Sequence, residues 1–176
     1  DRKHRNPEAP ICGFFSERDF DPDVWRGEYP NPAFQNMSEG DAAWATRIIA
    51  RFTKSHIEAA IRAGDLTSPD HRAFLLRVLL ARQRTLMTRY FSKLSPITDV
   101  SVERRDGREE LCAVDLARKT QTWPIASFRY RAMIARGPNA KPEPWGVVTG
   151  DDGRLCLPLT PALPDSLNIV ETDLRV

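Results

Sequence analysis

Three histidines (His4, His56, His71) and three cysteines (Cys12, Cys112, Cys156) are the chain's whole stock of the side chains that most often bind metals or act as nucleophile and base. No two histidines lie four residues apart, so no HExxH-type zinc pair forms. The cysteines are widely separated and include no CxxC, which argues against a cysteine zinc site or a thioredoxin-like motif. An odd count is a poor disulfide framework. The cysteines therefore read as buried small hydrophobes, with one bridge, Cys112–Cys156, left open. His56 and His71 stand where helices begin, an exposed or capping place. No P-loop, GxGxxG, GxSxG or EF-hand pattern occurs. Glu109-Glu110 and Asp151-Asp152 flank turn glycines, and turn chemistry accounts for them without a metal or an acid–base role. A self-contained active site needs a nucleophile or a metal with an oriented base, and none can be assembled here. The expectation is no catalytic residue, no cofactor and no metal.

The elements that would position side chains follow from composition. The chain has 176 residues, 41% of them apolar and 28% charged, with a formal net charge of +2. That is one ordinary domain or two small ones, too apolar and too weakly charged to stay disordered. No apolar run approaches the ~18 residues of a membrane-spanning helix. It opens at Asp1, without Met or a basic-then-apolar leader, so either a leader has been removed or the chain is a fragment of a longer product.

Proline and glycine divide the chain. Between Ala33 and Ser95 the one proline is Pro69, and after Gly40 the one glycine is Gly64. Helix interiors exclude both residues, so the middle is expected to be helical and the flanks not. Residues 1–37 read as an extended lead-in, broken by five prolines yet carrying Phe14, Phe15, Phe20, Trp25, Tyr29 and Phe34. So many rings imply a strap that inserts into a surface. That surface is first the chain's own helical domain, which requires no partner, and otherwise a partner's.

Residues 38–96 read as a three-helix domain. Ser38 and Asp41 form a short-armed capping box, followed by the stripe Ala45, Ile48, Ile49, Phe52. Thr53 or Ser55 opens a second helix, with Ile57, Ala60 and Ile61 inward and Gly64 at its end. Ser68-Pro69-Asp70 opens a third, reaching about Lys93 and stopped before Pro96. That helix is apolar almost all round, so the lead-in, the C-terminal region or another chain must cover what two shorter helices leave open.

Residues 97–176 change period. Val100–Val102, Leu111–Val114, Phe128–Ile134, Leu155–Leu159 and Ser166–Val170 read as short strands, with turns at Asp106-Gly107 and Asp152-Gly153. The expected fold class is α+β: a three-helix core, an aromatic-rich strap and a small antiparallel, sandwich-like β domain. In that domain Trp123, Tyr130 and Trp145 could stack on sugars or peptide, though core packing is the commoner task of such rings.

Charge is uneven. Arg47 to Lys93 holds ten Lys/Arg against three acids, +7, leaving 16 basic and 21 acidic groups, −5, elsewhere. Basic helices could meet phosphates, but these also carry the core, and no zinc-finger, RNP or KH pattern accompanies them. Nucleic acid is not the expected partner. An acidic protein is, or the chain's own lead-in with Asp19, Asp21, Asp23 and Glu28. The expected contact residues are Phe14, Phe15, Trp25 and Tyr29, with Arg77, Arg84 and Arg89.

Several segments occur in a fixed order: Asp19-Phe20-Asp21-Pro22-Asp23-Val24-Trp25-Arg26, Tyr29-Pro30-Asn31-Pro32-Ala33-Phe34, Asp41-Ala42-Ala43-Trp44-Ala45, Arg51-Phe52-Thr53 and a Leu/Arg helix ending in Tyr90-Phe91. Over about residues 11–117 the chain resembles the C-terminal region of large uncharacterised bacterial exported proteins that look like atypical kinase-type phosphotransferases. The resemblance implies that the phosphate-binding lysine, the catalytic Asp and the metal-binding Asp lie upstream, with no counterpart here. It implies the tail of a C-lobe-like region followed by a β appendage, acting outside the cytoplasm. The expected function is a non-catalytic accessory module held in a larger assembly, with no enzyme activity of its own. The alternative is the C-terminal segment of such a phosphotransferase.

Overall fold

A computed structural model of the chain describes residues 6–18, 20–25, 27, 29–135, 141–159 and 168–172, the last stretch as backbone alone. His4, Asp19, Arg26, Glu28, Ser166 and Leu167 lie outside the described residues. The fold is α+β, with two compact units, Asp1–Leu94 and Ser95–Val176.

In the first unit, α1 (Pro32–Gln35), α2 (Glu39–Ile49), α3 (Lys54–Ala63) and α4 (Pro69–Phe91) begin at side-chain caps. At α2 the Asp41 N–H donates to Ser38 Oγ (3.2 Å) and the Ser38 N–H to Asp41 Oδ2 (3.0 Å). The Ser38 hydroxyl (2.7 Å) and then the Ser38 N–H, both donating to Asp41 Oδ2, hold the Asp41 carboxyl below its usual range. At α3 the reciprocal pair joins Thr53 and His56, whose Nδ1 accepts from the Thr53 N–H at 3.3 Å. Ser68 caps α4, with Pro69 at its first position. Gly64 ends α3 with φ −77°; the left-handed residue is its neighbour Asp65, φ 53°. A short side chain tolerates that conformation.

The buried face of α2 differs from the expected stripe. Ala42, Ala43 and Thr46 are buried, while Ile48 and Phe52 are exposed and Ala45 and Ile49 half-buried. Small residues let α2 approach Tyr90 and Leu86 of α4 closely, and large ones on that side would hold the helices apart. On α3, Ile61 is buried and Ile57 half-buried, but Ala60 is exposed. Gln83 of α4 donates from Nε2 to the carbonyls of Ile49 and Phe52, both at 2.8 Å, closing the C-terminal end of α2.

The lead-in covers another part of α4. Ala9, beside a 3-10 turn at Pro10–Cys12, forms a buried cluster with Phe74 and Val78, and Cys12 and Phe15 pack on it. Asn6 Nδ2 donates to the Gly13 and Phe15 carbonyls (3.1 and 2.7 Å), folding the segment over Gly13, whose φ is 58°.

The second unit contains β1 (Ile97–Arg105), β2 (Arg108–Asp115), α5 (Leu116–Lys119), β3 (Ala132–Ala135), β4 (Glu143–Trp145), β5 (Val148–Thr149), β6 (Arg154–Pro158) and β7 (Asn168–Thr172). Every strand pair is antiparallel, in the orders β1-β2-β6-β5 and β4-β3-β7. Asp106 (φ 50°) and Gly107 (φ 75°) make the two-residue hairpin turn between β1 and β2. Gly153, φ 82°, ends the β5–β6 turn. A Cβ there would lie 2.6 Å from the Asp115 carbonyl oxygen and 2.9 Å from Lys119, so only glycine fits.

Of the expected strand over Phe128–Ile134, only Ala132 onward is extended pairing; Phe128 and Tyr130 lie in an aromatic cluster before it. Cys112 and Cys156 face each other across β2 and β6 and are bridged, with Cα atoms 4.2 Å apart. These two are therefore not separate buried thiols, although both are buried; Cys12 keeps its thiol.

Candidate binding surface

Three arginines of α4 clasp the lead-in. Arg77 pairs with Glu8 (2.8 Å) and with Glu17, its guanidinium 5.1 Å from the Phe74 ring centre. Arg82 donates from Nε to the Ser16 carbonyl (2.7 Å) and lies between the Phe15 and Phe20 rings, 3.9 and 4.5 Å from their centres. Desolvation by burial lowers the pKa of Arg82, and Glu17 opposes that shift. Arg89 holds Asp23 through Nε (2.9 and 2.7 Å) and Glu39 through Nη2 (2.7 Å). The Asp23 carboxyl is held below its usual range chiefly by the Arg89 hydrogen bond, and both acids hold Arg89 charged.

The expected contact residues therefore divide. Phe15, Arg77 and Arg89 are engaged by the chain's own segments, as are Glu8, Glu17 and Asp23. Arg82, the central member of the clasp, is not among the expected contacts. Its signal was only its place in an Arg-rich helix, one of several such arginines. Phe14 (47% exposed), Trp25 (43%), Tyr29 (81%) and Arg84 present surface.

A second group joins the exposed rings. Trp44 (63% exposed) and Ile48 lie one turn apart on the outer side of α2, with Phe52 (52%) just beyond its end, edge-on to His56. Phe34 of α1 meets Trp25 edge-to-face, 5.5 Å between centres. Exposed apolar side chains scattered singly are ordinary; here a helix turn bears a tryptophan and an isoleucine side by side, with more rings in the preceding stretch. Arg47 stands on the same helix and Arg51 just past its C-terminal end.

In the second unit the rings are engaged internally. Tyr130 donates its hydroxyl to Asp115 Oδ2 (2.6 Å), stacks on Phe128, and lies under Arg118. Phe128 meets Trp123, and Trp145 Nε1 donates to the Pro158 carbonyl at 2.7 Å. Asp115, fully buried, caps α5 through Oδ1, accepting from the Arg118 N–H at 3.1 Å. Burial, then the bond to Asp115, raises the Tyr130 pKa well above the usual tyrosine value. Asp115 reads in the sequence as the N-cap before Leu-Ala-Arg-Lys, a signal that was present but unused.

Among the described residues, Glu110, Cys112 and Cys156 are the group close enough to share a metal ion. The bridge takes both sulfurs, so a metal there would require its reduction. Glu109 pairs with Arg104 across the hairpin, and Asp152 Oδ1 accepts the Arg154 N–H, turn and sheet roles for both. No described helix is long and apolar enough to cross a membrane.

Neither a family model, nor a curated protein, nor a solved structure matches the chain.

Proposed function

We propose that the chain is an accessory binding module that works without a reaction of its own, held in a larger bacterial assembly by the outer face of α2 and the aromatic stretch from Trp25 to Phe34. The observation that carries this reading is the exposure of Trp44 and Ile48 on a helix whose other side is packed, with exposed Phe52 just beyond its end. Burying such rings is favourable by about 1.5–3 kcal/mol for each large side chain, and aromatic residues dominate the centres of binding interfaces. The +7 charge of the stretch from Arg47 to Lys93 favours a partner with acidic groups around an apolar centre. The Cys112–Cys156 bridge supports an oxidising location, outside the cytoplasm. The resemblance to the tail of exported kinase-like proteins offers a context in which the partner is a catalytic region encoded upstream.

The test is native purification followed by light scattering. The chain is expected in an assembly with a second kind of polypeptide, and a Trp44→Glu, Ile48→Glu, Phe52→Glu variant is expected to leave it without losing its helical circular dichroism. A native chain that elutes at its own 20.0 kDa mass overturns the reading. So does turnover of a nucleotide or glycan abolished by one side-chain change.

A further inference from the structure

The β1 edge of the four-stranded sheet has features that specify what pairs with it. Strand β1 is last in the order, with β2 on one side alone. The 4.2 Å Cα separation of Cys112 and Cys156 marks a non-hydrogen-bonded pair, for which about 4.5 Å is usual against about 5.5 Å for a bonded one. The N–H and C=O of Cys112 consequently point away from β6, toward Ser101 of β1, its register partner. Alternation then directs the main-chain groups of Ser101 and Glu103 toward β2, and those of Val102 and Arg104 outward.

Side chains agree with that geometry. Leu157, Leu111 and Val102 are successive register partners across β6, β2 and β1, so an apolar row crosses the sheet and stops at its edge. Its last members are 61% exposed at Val102 and, beside it on the same strand, 64% at Val100. A row of this kind, ending on an outward-directed strand, is a template for another strand.

We propose that the occupant is a second copy of this chain, its β1 antiparallel to the first about a two-fold axis through Val102. An axis normal to the sheet keeps each side chain on its own face, so a residue must meet one of its own parity. Centring on Glu103 or Arg104 would set like charges opposite each other, and centring on Val100 or Ser101 would draw the irregular stretch between Thr98 and Ser101 into the middle of the pairing. Centring on Val102 places Val102 against itself and Ser101 against Glu103, with Val100 beside Arg104; Asp99, at φ 54° inside the irregularity before Ser101, falls outside the pairing. It sets no like charges opposite, and its central pair exchanges both main-chain hydrogen bonds. The apolar row becomes continuous from Leu157 of one copy to the same residue of the other. The irregularity between Thr98 and Ser101 bends the strand beyond this stretch and limits the pairing to it.

Sedimentation equilibrium of the whole oxidised chain tests this. The 20.0 kDa chain is expected to approach twice its mass as concentration rises. Val102→Pro, which removes an outward N–H that β2 does not use, is expected to sediment as a monomer with an unchanged thermal melt. Val102→Lys, which sets two ammonium groups on the axis without touching the backbone, is expected to do the same if the proline variant unfolds. In hydrogen exchange the Val102 amide is expected to gain protection with concentration. A chain monomeric at every concentration, or a dimer that survives Val102→Lys, overturns the proposal. A dimer lost in the α2 triple-glutamate variant but kept in Val102→Lys assigns self-association to the aromatic face instead.

Discussion

Breaking the Cys112–Cys156 bridge should destabilise the second unit by an amount that its loop length sets. The bridge closes a loop of 44 residues in sequence. Loop-closure entropy for that length is about −13 cal/mol/K, or about 4 kcal/mol at 25 °C. A unit of roughly 80 residues at about 0.1 kcal/mol per residue holds about 8 kcal/mol in all. Reduction should therefore remove near half of its stability. The assay is urea unfolding in a Trp25→Phe, Trp44→Phe background, where Trp123 and Trp145 report on the second unit alone. With a slope of about 1 kcal/mol/M, the midpoint should fall by about 4 M on adding dithiothreitol. Cys112→Ala with Cys156→Ala should match the reduced protein. A shift under about 1 M, or three reactive thiols in the oxidised protein, would refute the reasoning, because either result means that the bridge does not constrain the unfolded chain.

Arg82→Lys should loosen the lead-in nearly as much as Arg82→Ala, by about 2–3 kcal/mol, since an ammonium cannot stack on two rings while donating to Ser16. Guanidinium unfolding and the rate of tryptic cleavage at Arg18 would show it. Gly153→Ala should cost far more than Gly107→Ala. Both have positive φ, but a Cβ at Gly107 meets open space while one at Gly153 meets the Asp115 carbonyl; paired thermal melts decide. Tyr130 keeps its proton more tightly when folded than when unfolded. Its contribution is thus complete below about pH 10 and is lost as pH rises toward the folded value. Absorbance at 295 nm should show a late-ionising phenol that is absent in Tyr130→Phe, and an early one at this position would contradict the Asp115 bond.

The helices were legible where caps declared them. Ser38, Thr53 and Ser68 each accept the amide expected of a cap, because that chemistry is local. Which side of α2 is buried was not legible. Its residues offer two stripes, one of alanines and a threonine and one of large apolar side chains, and hydrophobicity alone favours the larger. The choice belongs to α4, whose Tyr90 and Leu86 need close approach. The turn glycines could be read from Asp-Gly pairs, yet the partner strands could not, since register needs the far strand. Phe128 and Tyr130 alternate like a strand and instead cluster with Trp123, a contact that no period of two predicts. Of the candidate surface, Trp25 and Tyr29 are legible from ring density, whereas Ile48 and Phe52 fall in a stripe expected to be core that they do not join, and Trp44 carries no signal beyond its place in the resemblance.

The clasp between the lead-in and α4 also sets an order of events during translation. Glu17 and Arg77 are 60 residues apart in the chain, and Glu8 and Arg77 are 69 apart. At roughly 5–20 residues per second, the ribosome makes the phenylalanines of the strap several seconds before the helix that will seat them. For that interval the nascent segment is a sticky, unseated polypeptide, a stretch open to a chaperone.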